Sequence, residues 1–211
     1  AAVVLMPLQW VLVRAGARAA RRLPQIFHRA TCRLLGLRVR VHGRLPSGKG
    51  ALVVANHVSW LDIPVLSGVA PFSFVAKAEV AGWGMVGTLA RLQRTVFVDR
   101  TRRTAAGPAV SEIAGRLGAG DAIVLFAEGT SSAGLRLLPL RSSLLAGALA
   151  PSGEGTGPET AVLPVAIVYR ALNGLPIGRA ERPQIGFYGD MDMQRHAWAL
   201  LKAGPVDADI H

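Results

Sequence analysis

The chain has 211 residues, of which 24 are Lys or Arg and 13 are Asp or Glu, so its formal net charge is +11. This length is sufficient for one α/β domain with a complete hydrophobic core and too short for two such domains. The single cysteine, Cys32, excludes a disulfide bond within these residues and is typical of a reducing compartment. The strong positive charge predicts an anionic partner.

The positive charge is concentrated near the start of the chain, where residues 1–61 contain no Asp or Glu. Residues 1–13 are apolar apart from Pro7 and Gln9, and basic residues follow them. Thirteen residues are too few to span a bilayer, which takes ~20. A secretory signal is not predicted either, because its charges would precede the apolar run and here they follow it. At 100° per residue, one helical face carries four basic side chains: Arg14, Arg18, Arg21 and Arg22.

An apolar run joined to a basic face is typical of a helix that lies in the membrane interface. We therefore predict that residues 1–36 form an amphipathic helical segment that contacts an anionic membrane surface, and that residues 37–211 form the α/β domain. The corresponding location is the cytoplasmic face of the inner membrane. The alternative is a solvated basic helix that packs on the domain. Nucleic acid is excluded as a partner, because aromatic residues are only 6% of the chain and no nucleic-acid-binding motif occurs.

Apolar strands alternate with helical segments along the rest of the chain. This alternation predicts an α/β fold with a mixed, largely parallel sheet flanked by helices. The predicted strands include residues 51–55 and 122–125, and another strand is predicted over residues 184–188. A helix is predicted over residues 79–93 despite its three glycines.

The most informative motif is a histidine followed five residues later by an aspartate, His57 and Asp62. The apolar strand 51–55 delivers His57 at its carboxyl end, where open α/β sheets place their chemistry. A carboxylate that holds one ring N–H of an imidazole leaves the other nitrogen to take a proton from a substrate hydroxyl. Five helical steps would separate the two residues by about 140°, so the chain must turn between them.

Two structural interpretations of the same residues stay open beside the catalytic one. The spacing from Ser59 to Asp62 fits a helix capping box, in which Asp62 would serve backbone donors. Alternatively, Asp62 is itself the N-cap and Pro64 occupies the first turn of the helix.

Three further segments occur in the order found in one known family: residues 94–100, 126–132 and 163–167. Together with the His57 motif, they resemble the four sequence blocks of the glycerolipid acyltransferases. The similarity is to the bacterial 1-acylglycerol-3-phosphate acyltransferases and other lysophospholipid acyltransferases, and it extends from about residue 39 to residue 169.

The resemblance implies roles for individual residues. In that family the histidine of the first block is the general base and the aspartate orients it, which correspond here to His57 and Asp62. The later blocks hold the acceptor, often through its phosphate, and the matching residues are Arg100, Glu128, Gly129 and Thr130. Lys77 and Arg94 are further candidates for contact with the substrate.

The chain departs from the family pattern in three places. Arg94 stands where the second block usually opens with glycine, and Ala127 replaces a proline. Ser131 replaces an arginine, the side chain that binds phosphate in a bidentate way. Related enzymes that acylate lyso-ornithine lipid, an acceptor without phosphate, resemble this chain in the Gly-Thr-Ser-Ser run. The first expected acceptor is 1-acyl-sn-glycerol-3-phosphate, and lyso-ornithine lipid is the alternative.

The resemblance thus implies transfer of a fatty acyl group from acyl-CoA or acyl-carrier protein to the free hydroxyl of a lysolipid, in phospholipid biosynthesis. The donor brings its own activated thioester, so neither a metal ion nor a cofactor is expected. Two other functions stay open. One is a serine hydrolase with Ser131 as nucleophile and His57 as base, and the other is a non-catalytic protein that binds lipid at a membrane surface.

Overall fold

The computed structural model describes residues 2–44, 50–99, 106–140 and 160–211. The helices are α1 (Ala2–Arg14), α2 (Ala19–Leu34), α3 (Asp62–Val69), α4 (Gly84–Leu92), α5 (Ala106–Gly118), α6 (Arg182–Ile185) and α7 (Met193–Ala203). The strands are β1 (Leu37–Val41), β2 (Ala51–Ala55), β3 (Phe72–Lys77), β4 (Val96–Val98), β5 (Ala122–Phe126), β6 (Ala161–Val165), β7 (Ile167–Leu172), β8 (Leu175–Pro176) and β9 (Val206–Ile210). A 3-10 helix, Ala78–Gly82, lies between β3 and α4.

Five strands form a parallel sheet in the order β4-β3-β5-β2-β6. The central strands β2 and β5 are buried on both faces, as expected for parallel strands that are covered by helices. Leu52 belongs to a core cluster with α5 on one face, and Val53 belongs to a cluster with α3 on the other. Because the strands run in the same direction, β2, β3 and β5 all end at one edge, which we call the carboxyl edge.

The remaining strands form a second sheet in the order β1-β9-β7-β8. In this sheet β1 is parallel to β9, whereas β7 is antiparallel to β9 and to β8. Only Ala166 separates β6 from β7, so the chain passes from the parallel sheet to the second sheet beside the end of β2. The predicted α/β class with a mixed, largely parallel sheet and flanking helices is confirmed, and its strands are divided between two sheets.

Local predictions failed in two places. The strand predicted over residues 184–188 is wrong, because residues 182–185 form α6, where a proline in the first turn suits a helix start. The helix predicted over residues 79–93 is interrupted at Trp83, and α4 begins at Gly84 with a φ of +45°. This left-handed backbone conformation is one that glycine adopts at little cost.

The two N-terminal helices, α1 and α2, pack on the helices that flank the parallel sheet. The Gln9 Nε2 atom donates hydrogen bonds of 2.8 Å to the carbonyls of Ala20 and Leu92, which connects α1 to α2 and to α4. The Cys32 thiol donates to the Pro64 carbonyl at 3.2 Å and connects α2 to α3. Within the residues that the structure describes, no helix has the length and apolar character needed to cross a membrane. Membrane contact and the boundary after residue 36 stay predictions.

Candidate active site

His57 and Asp62 are in direct contact. The His57 Nδ1 atom lies 2.7 Å from Asp62 Oδ2, because the chain leaves β2, turns, and begins α3 at Asp62. The same Oδ2 atom also accepts hydrogen bonds from the backbone N–H groups of Val58, at 2.7 Å, and Ser59, at 3.0 Å. The carboxylate therefore orients the ring and satisfies backbone donors of the turn at the same time, so this structural role and the catalytic one are compatible. The alternative in which Asp62 is the N-cap is wrong, because Leu61 is the N-cap of α3.

The Asp62 carboxylate is fully buried, with 0% of the residue exposed. Its second oxygen, Oδ1, accepts a 2.7 Å hydrogen bond from the hydroxyl of Tyr169 on β7. Burial and the nearby charge of Asp62 raise the pKa of Tyr169 well above its usual value, so the hydroxyl remains a donor. Four donors thus face one carboxylate, which acts only as an acceptor, as an ionised carboxylate does.

This arrangement leaves the second nitrogen of His57 available. Since Asp62 only accepts, Nδ1 carries the ring proton and Nε2 carries a lone pair. Nε2 has no hydrogen-bond partner among the described residues, and 22% of the side chain is exposed. The ring stacks on Phe126 with a centroid distance of 4.1 Å and an interplanar angle of 13°. A ring that is held in this way can accept a proton from a substrate hydroxyl at Nε2.

Glu128 supports the backbone at the same edge. Its Oε1 atom accepts a 2.9 Å hydrogen bond from the His57 N–H, and its Oε2 atom accepts one of 2.9 Å from the Leu138 N–H. Only 4% of the residue is exposed. The structure therefore gives Glu128 a positioning contact with His57, and its predicted contact with an acceptor stays a prediction.

Sequence reasoning missed three residues that hold this edge together. The Asn56 side chain binds both the N–H and the carbonyl of Ile167, at 2.7 and 3.0 Å, and so joins β2 to β7. The Trp60 indole donates to His196 Nδ1 at 3.0 Å, and burial lowers the pKa of His196, which keeps that nitrogen an acceptor. Tyr169 is the third missed residue. Burial alternates along β7 in the structure and places the Tyr169 side chain inward, whereas no motif in the sequence marks it.

The other predicted site residues are spread over the structure. Lys77 ends β3, so its exposed side chain lies at the carboxyl edge with His57. Arg94 precedes β4, and its Nη2 atom donates at 2.8 Å to Asp121, which precedes β5. Arg94 and Asp121 thus lie at the edge of the parallel sheet opposite the carboxyl edge. The structure therefore does not bring Arg94 to His57. Arg100 lies outside the described residues.

The residues after β5 form a turn at the carboxyl edge. The Gly129 N–H donates to the Phe126 carbonyl at 3.0 Å, and its φ of +74° is in the region that favours glycine. Thr130 follows with an exposed side chain. Their contact with an acceptor stays a prediction.

The position of Ser131 bears on the hydrolase alternative. Its hydroxyl donates a 2.5 Å hydrogen bond to the Phe187 carbonyl. No hydrogen bond between Ser131 and His57 occurs in the described part of the chain. The nucleophile–base contact that a serine hydrolase needs is therefore not assembled here.

A cleft of about 640 Å³ adjoins the chain segment that contains His57. It is lined by Asn56 and Val58, the residues on either side of His57, and by Glu128 and Tyr169. Most of the other lining side chains are apolar, among them Leu137, Leu140, Ile177 and Ile185. An apolar cleft next to a general base suits a substrate with a hydrocarbon chain and a reactive polar group.

Among the described residues, His42, Asp209 and His211 form a cluster of side chains that can ligate a metal ion. The two imidazole rings are stacked in parallel, 4.4 Å apart with an interplanar angle of 4°. In-plane lone pairs of parallel rings do not converge on one point, and Arg170 already pairs with Asp209 at 3.1 Å. The arrangement is a stacked pair of imidazole rings beside an Arg170–Asp209 ion pair, at the strand ends of the second sheet.

Comparisons with known proteins agree with the sequence blocks. A family model described as "Acyltransferase" matches residues 38–168. The lyso-ornithine lipid O-acyltransferase of Brucella abortus is 46% identical over 206 residues, which cover 98% of this chain and 77% of that protein. The enzyme of the same name from Rhizobium meliloti is 43% identical, and the match covers 98% of this chain and 71% of that protein. The 1-acyl-sn-glycerol-3-phosphate acyltransferase of Neisseria gonorrhoeae is 34% identical over 72% of this chain and 54% of that protein.

A solved structure has the same overall fold. It is the 1-acyl-sn-glycerophosphate (LPA) acyltransferase PlsC from Thermotoga maritima, with a TM-score of 0.61 and 28% sequence identity. The match covers 100% of this chain and 79% of the PlsC chain.

Proposed function

Because the chain belongs to the acyltransferase family, we propose that this enzyme moves a fatty acyl group from acyl-CoA or acyl-carrier protein to the free hydroxyl of a lysolipid. The observation that carries the proposal is the 2.7 Å contact between His57 and Asp62, which leaves Nε2 available, and an apolar cleft adjoins the neighbouring residues Asn56 and Val58. A non-catalytic lipid-binding protein has no need for a histidine held in this tautomer.

We further propose lyso-ornithine lipid as the preferred acceptor, in place of the 1-acyl-sn-glycerol-3-phosphate that the sequence analysis put first. Two relatives with more than 40% identity carry that name, whereas the relatives that act on the phosphate-bearing acceptor are less similar. Ser131 also supports this choice, since its hydroxyl is bound to the Phe187 carbonyl and no guanidinium stands there to bind phosphate.

The proposed reaction follows from the geometry of His57. Nε2 takes the proton of the acceptor hydroxyl as the oxygen attacks the carbonyl carbon of the thioester, and Asp62 stabilises the imidazolium that forms. The carbon–sulfur bond then breaks, and the leaving thiolate takes the proton back from His57. The products are the ester and the free thiol. No acyl-enzyme is required, because the acceptor oxygen attacks directly.

Replacing Ser131 tests the choice of acceptor. Ser131→Arg is expected to shift the ratio of transfer rates toward lysophosphatidic acid relative to lyso-ornithine lipid. The shift should be tenfold or more, because a charge-assisted hydrogen bond contributes about 1.5–3 kcal/mol. The measurement is product formation from the two acceptors in competition, resolved by mass.

Ser131→Ala is the matched control, since it removes the hydrogen bond to Phe187 without adding charge. An equal ratio in the arginine and alanine variants would mean that position 131 does not contact the headgroup. A wild-type protein that transfers acyl groups to neither acceptor contradicts the proposed function as a whole.

We also propose that α1 and the start of α2 contact an anionic membrane surface at the cytoplasmic face of the inner membrane. Large apolar side chains are exposed along α1, including Val4, Leu8 and Val11. The Arg14 guanidinium lies 4.8 Å from the centre of the Trp10 ring, a pairing that suits the membrane interface. An apolar helix with adjoining arginines supports this partner.

Charge reversal tests the membrane contact. Arg21 is excluded from the test because it pairs with buried Asp121 at 2.9 Å, so its reversal would place two carboxylates together. Reversal of the other three arginines to Glu is expected to release the protein from anionic vesicles, since each basic side chain near the surface contributes about 1 kcal/mol. The three are Arg14, Arg18 and Arg22.

Sedimentation with vesicles measures the effect, and binding by the parent should weaken with salt. The matched control reverses three exposed arginines on other elements, Arg38, Arg179 and Arg195, and should pellet as the parent does. If the α1–α2 variant pellets as well as this control variant, the N-terminal arginines do not face the membrane.

A further inference from the structure

Arg182 is a half-buried cation in the cleft beside His57. Its Nη1 atom donates a 2.9 Å hydrogen bond to the Gly134 carbonyl, which fixes the guanidinium at the cleft wall. Across the described residues, no carboxylate forms an ion pair with it. A guanidinium has five N–H donors, so most of them are available to a ligand. A partly desolvated charge without a counter-ion favours the binding of an anion.

The guanidinium lies close to the reacting histidine. The Ser132 N–H donates to the His57 carbonyl at 3.1 Å, which holds the loop that contains Gly134 against the His57 backbone. A Cβ atom built on Gly134 would lie 3.1 Å from Val58 Cγ2 and 3.4 Å from Arg182 Nη1. The Arg182 guanidinium is therefore about one side chain away from Val58, the residue after His57. A ligand held by Arg182 would therefore lie against the loop that is hydrogen-bonded to the His57 backbone.

The charges of the cleft favour an anion at Arg182. The acidic residue in the lining, Glu128, uses both oxygens for the backbone N–H groups of His57 and Leu138. The apolar wall continues from α6, where Ile185 is 2% exposed. Apolar walls and two arginines, the anchored Arg182 and the exposed Arg136, match an amphiphile with a hydrocarbon chain and an anionic headgroup.

Resting on the proposed function, we propose that Arg182 binds the oxyanion of the acceptor headgroup, a carboxylate or a phosphate. From α6, it brings a guanidinium against the loop after Glu128, although position 131 in that loop lacks one. Ser131 and Arg182 connect the same two segments, Ser131 through the Phe187 carbonyl and Arg182 through the Gly134 carbonyl. Ornithine carries a carboxylate in place of a phosphate, and a guanidinium binds either group in a bidentate way.

The test measures binding in the full chain with His57→Ala as the background, so that turnover is not needed. Three lipids with the same acyl chain are titrated by calorimetry: lyso-ornithine lipid, lysophosphatidic acid and neutral monoacylglycerol. Arg182→Gln should weaken binding of the anionic lipids about tenfold or more, because charge-assisted hydrogen bonds are lost. Binding of monoacylglycerol should change less than about twofold, and Arg182→Lys should restore part of the loss. The anionic lipid that loses more affinity identifies carboxylate or phosphate as the group recognised.

Arg179→Gln is the matched control, since Arg179 is exposed, lies three residues away and does not line the cleft. An equal loss for all three lipids in Arg182→Gln, together with a lower melting temperature, would overturn the proposal and leave Arg182 as a support for Gly134. Unchanged affinities would overturn it as well. If the wild-type protein transfers no acyl group but anionic lipids still bind in an Arg182-dependent way, the proposed function fails and the headgroup site stands.

Discussion

Replacing His57 with alanine is expected to lower acyl transfer by about 10²–10⁴-fold while the protein stays folded. The variant removes the nitrogen that takes the proton of the acceptor hydroxyl. The thioester activates the acyl group but does not take that proton. The stability cost should be about 2 kcal/mol, because the partly exposed ring loses its stacking on Phe126 and Asp62 loses one of its four donors. The measurement is the rate of thiol release with lysolipid present, together with a thermal melt.

His42→Ala is the matched control, since half of the His42 side chain is exposed and it follows β1 in the second sheet. It should keep a rate within about twofold of the parent. If His57→Ala retains more than half of the parental rate, His57 is not the base. If it loses activity only together with its melting transition, the histidine is structural.

The contact between His57 and Asp62 was predictable because its causes are local. An apolar run of five residues fixes β2, the carboxyl end of a parallel strand fixes the edge, and the short spacing forces the turn. A helix was expected from about Ser59, and α3 instead begins at Asp62, with Leu61 as its N-cap and no side-chain cap. The sequence blocks then supplied the order of the remaining segments.

The partners that hold this pair were not predictable, because they are distant in sequence. Glu128 lies 71 positions from His57, and Tyr169 lies 107 positions from Asp62. No periodicity or motif connects such positions, so only the fold shows that one oxygen of Glu128 binds the His57 backbone. Arg94, by contrast, was predicted to contact the substrate, and the structure places it far from His57. It stands at the start of the second sequence block, yet it precedes its strand and therefore lies at the far edge with Asp121.

Strand β9 was missed although its sequence alternates. Val206, Ala208 and Ile210 are buried, and Asp207 and Asp209 between them are less buried. Aspartate is depleted in strands, which weakened this signal. The strand forms because it lies between β1 and β7, with parallel pairing to the first and antiparallel pairing to the second. That environment is not visible in a five-residue window.

Replacing Asp62 with asparagine is expected to lower turnover by about 10²-fold or more while most of the stability is kept. The amide oxygen can still accept from Nδ1 of His57 and from the backbone of Val58 and Ser59, and the amide nitrogen then faces the Tyr169 hydroxyl. What is lost is the negative charge that stabilises the imidazolium after proton transfer. Steady-state rates at saturating acceptor measure this loss.

Two further variants separate the effect of the Asp62 negative charge from its role as a hydrogen-bond acceptor for the turn. Asp62→Ala leaves the buried donors of Val58, Ser59 and Tyr169 without an acceptor, and should cost roughly 3 kcal/mol or more in the free energy of unfolding. Tyr169→Phe removes one donor and should cost about 1 kcal/mol with little change in rate. A mechanism in which Asp62 stabilises the imidazolium requires the asparagine variant to be slow and stable. If Asp62→Asn instead turns over at the parental rate, the charge does not act on His57, and Asp62 serves only to hold the turn between β2 and α3.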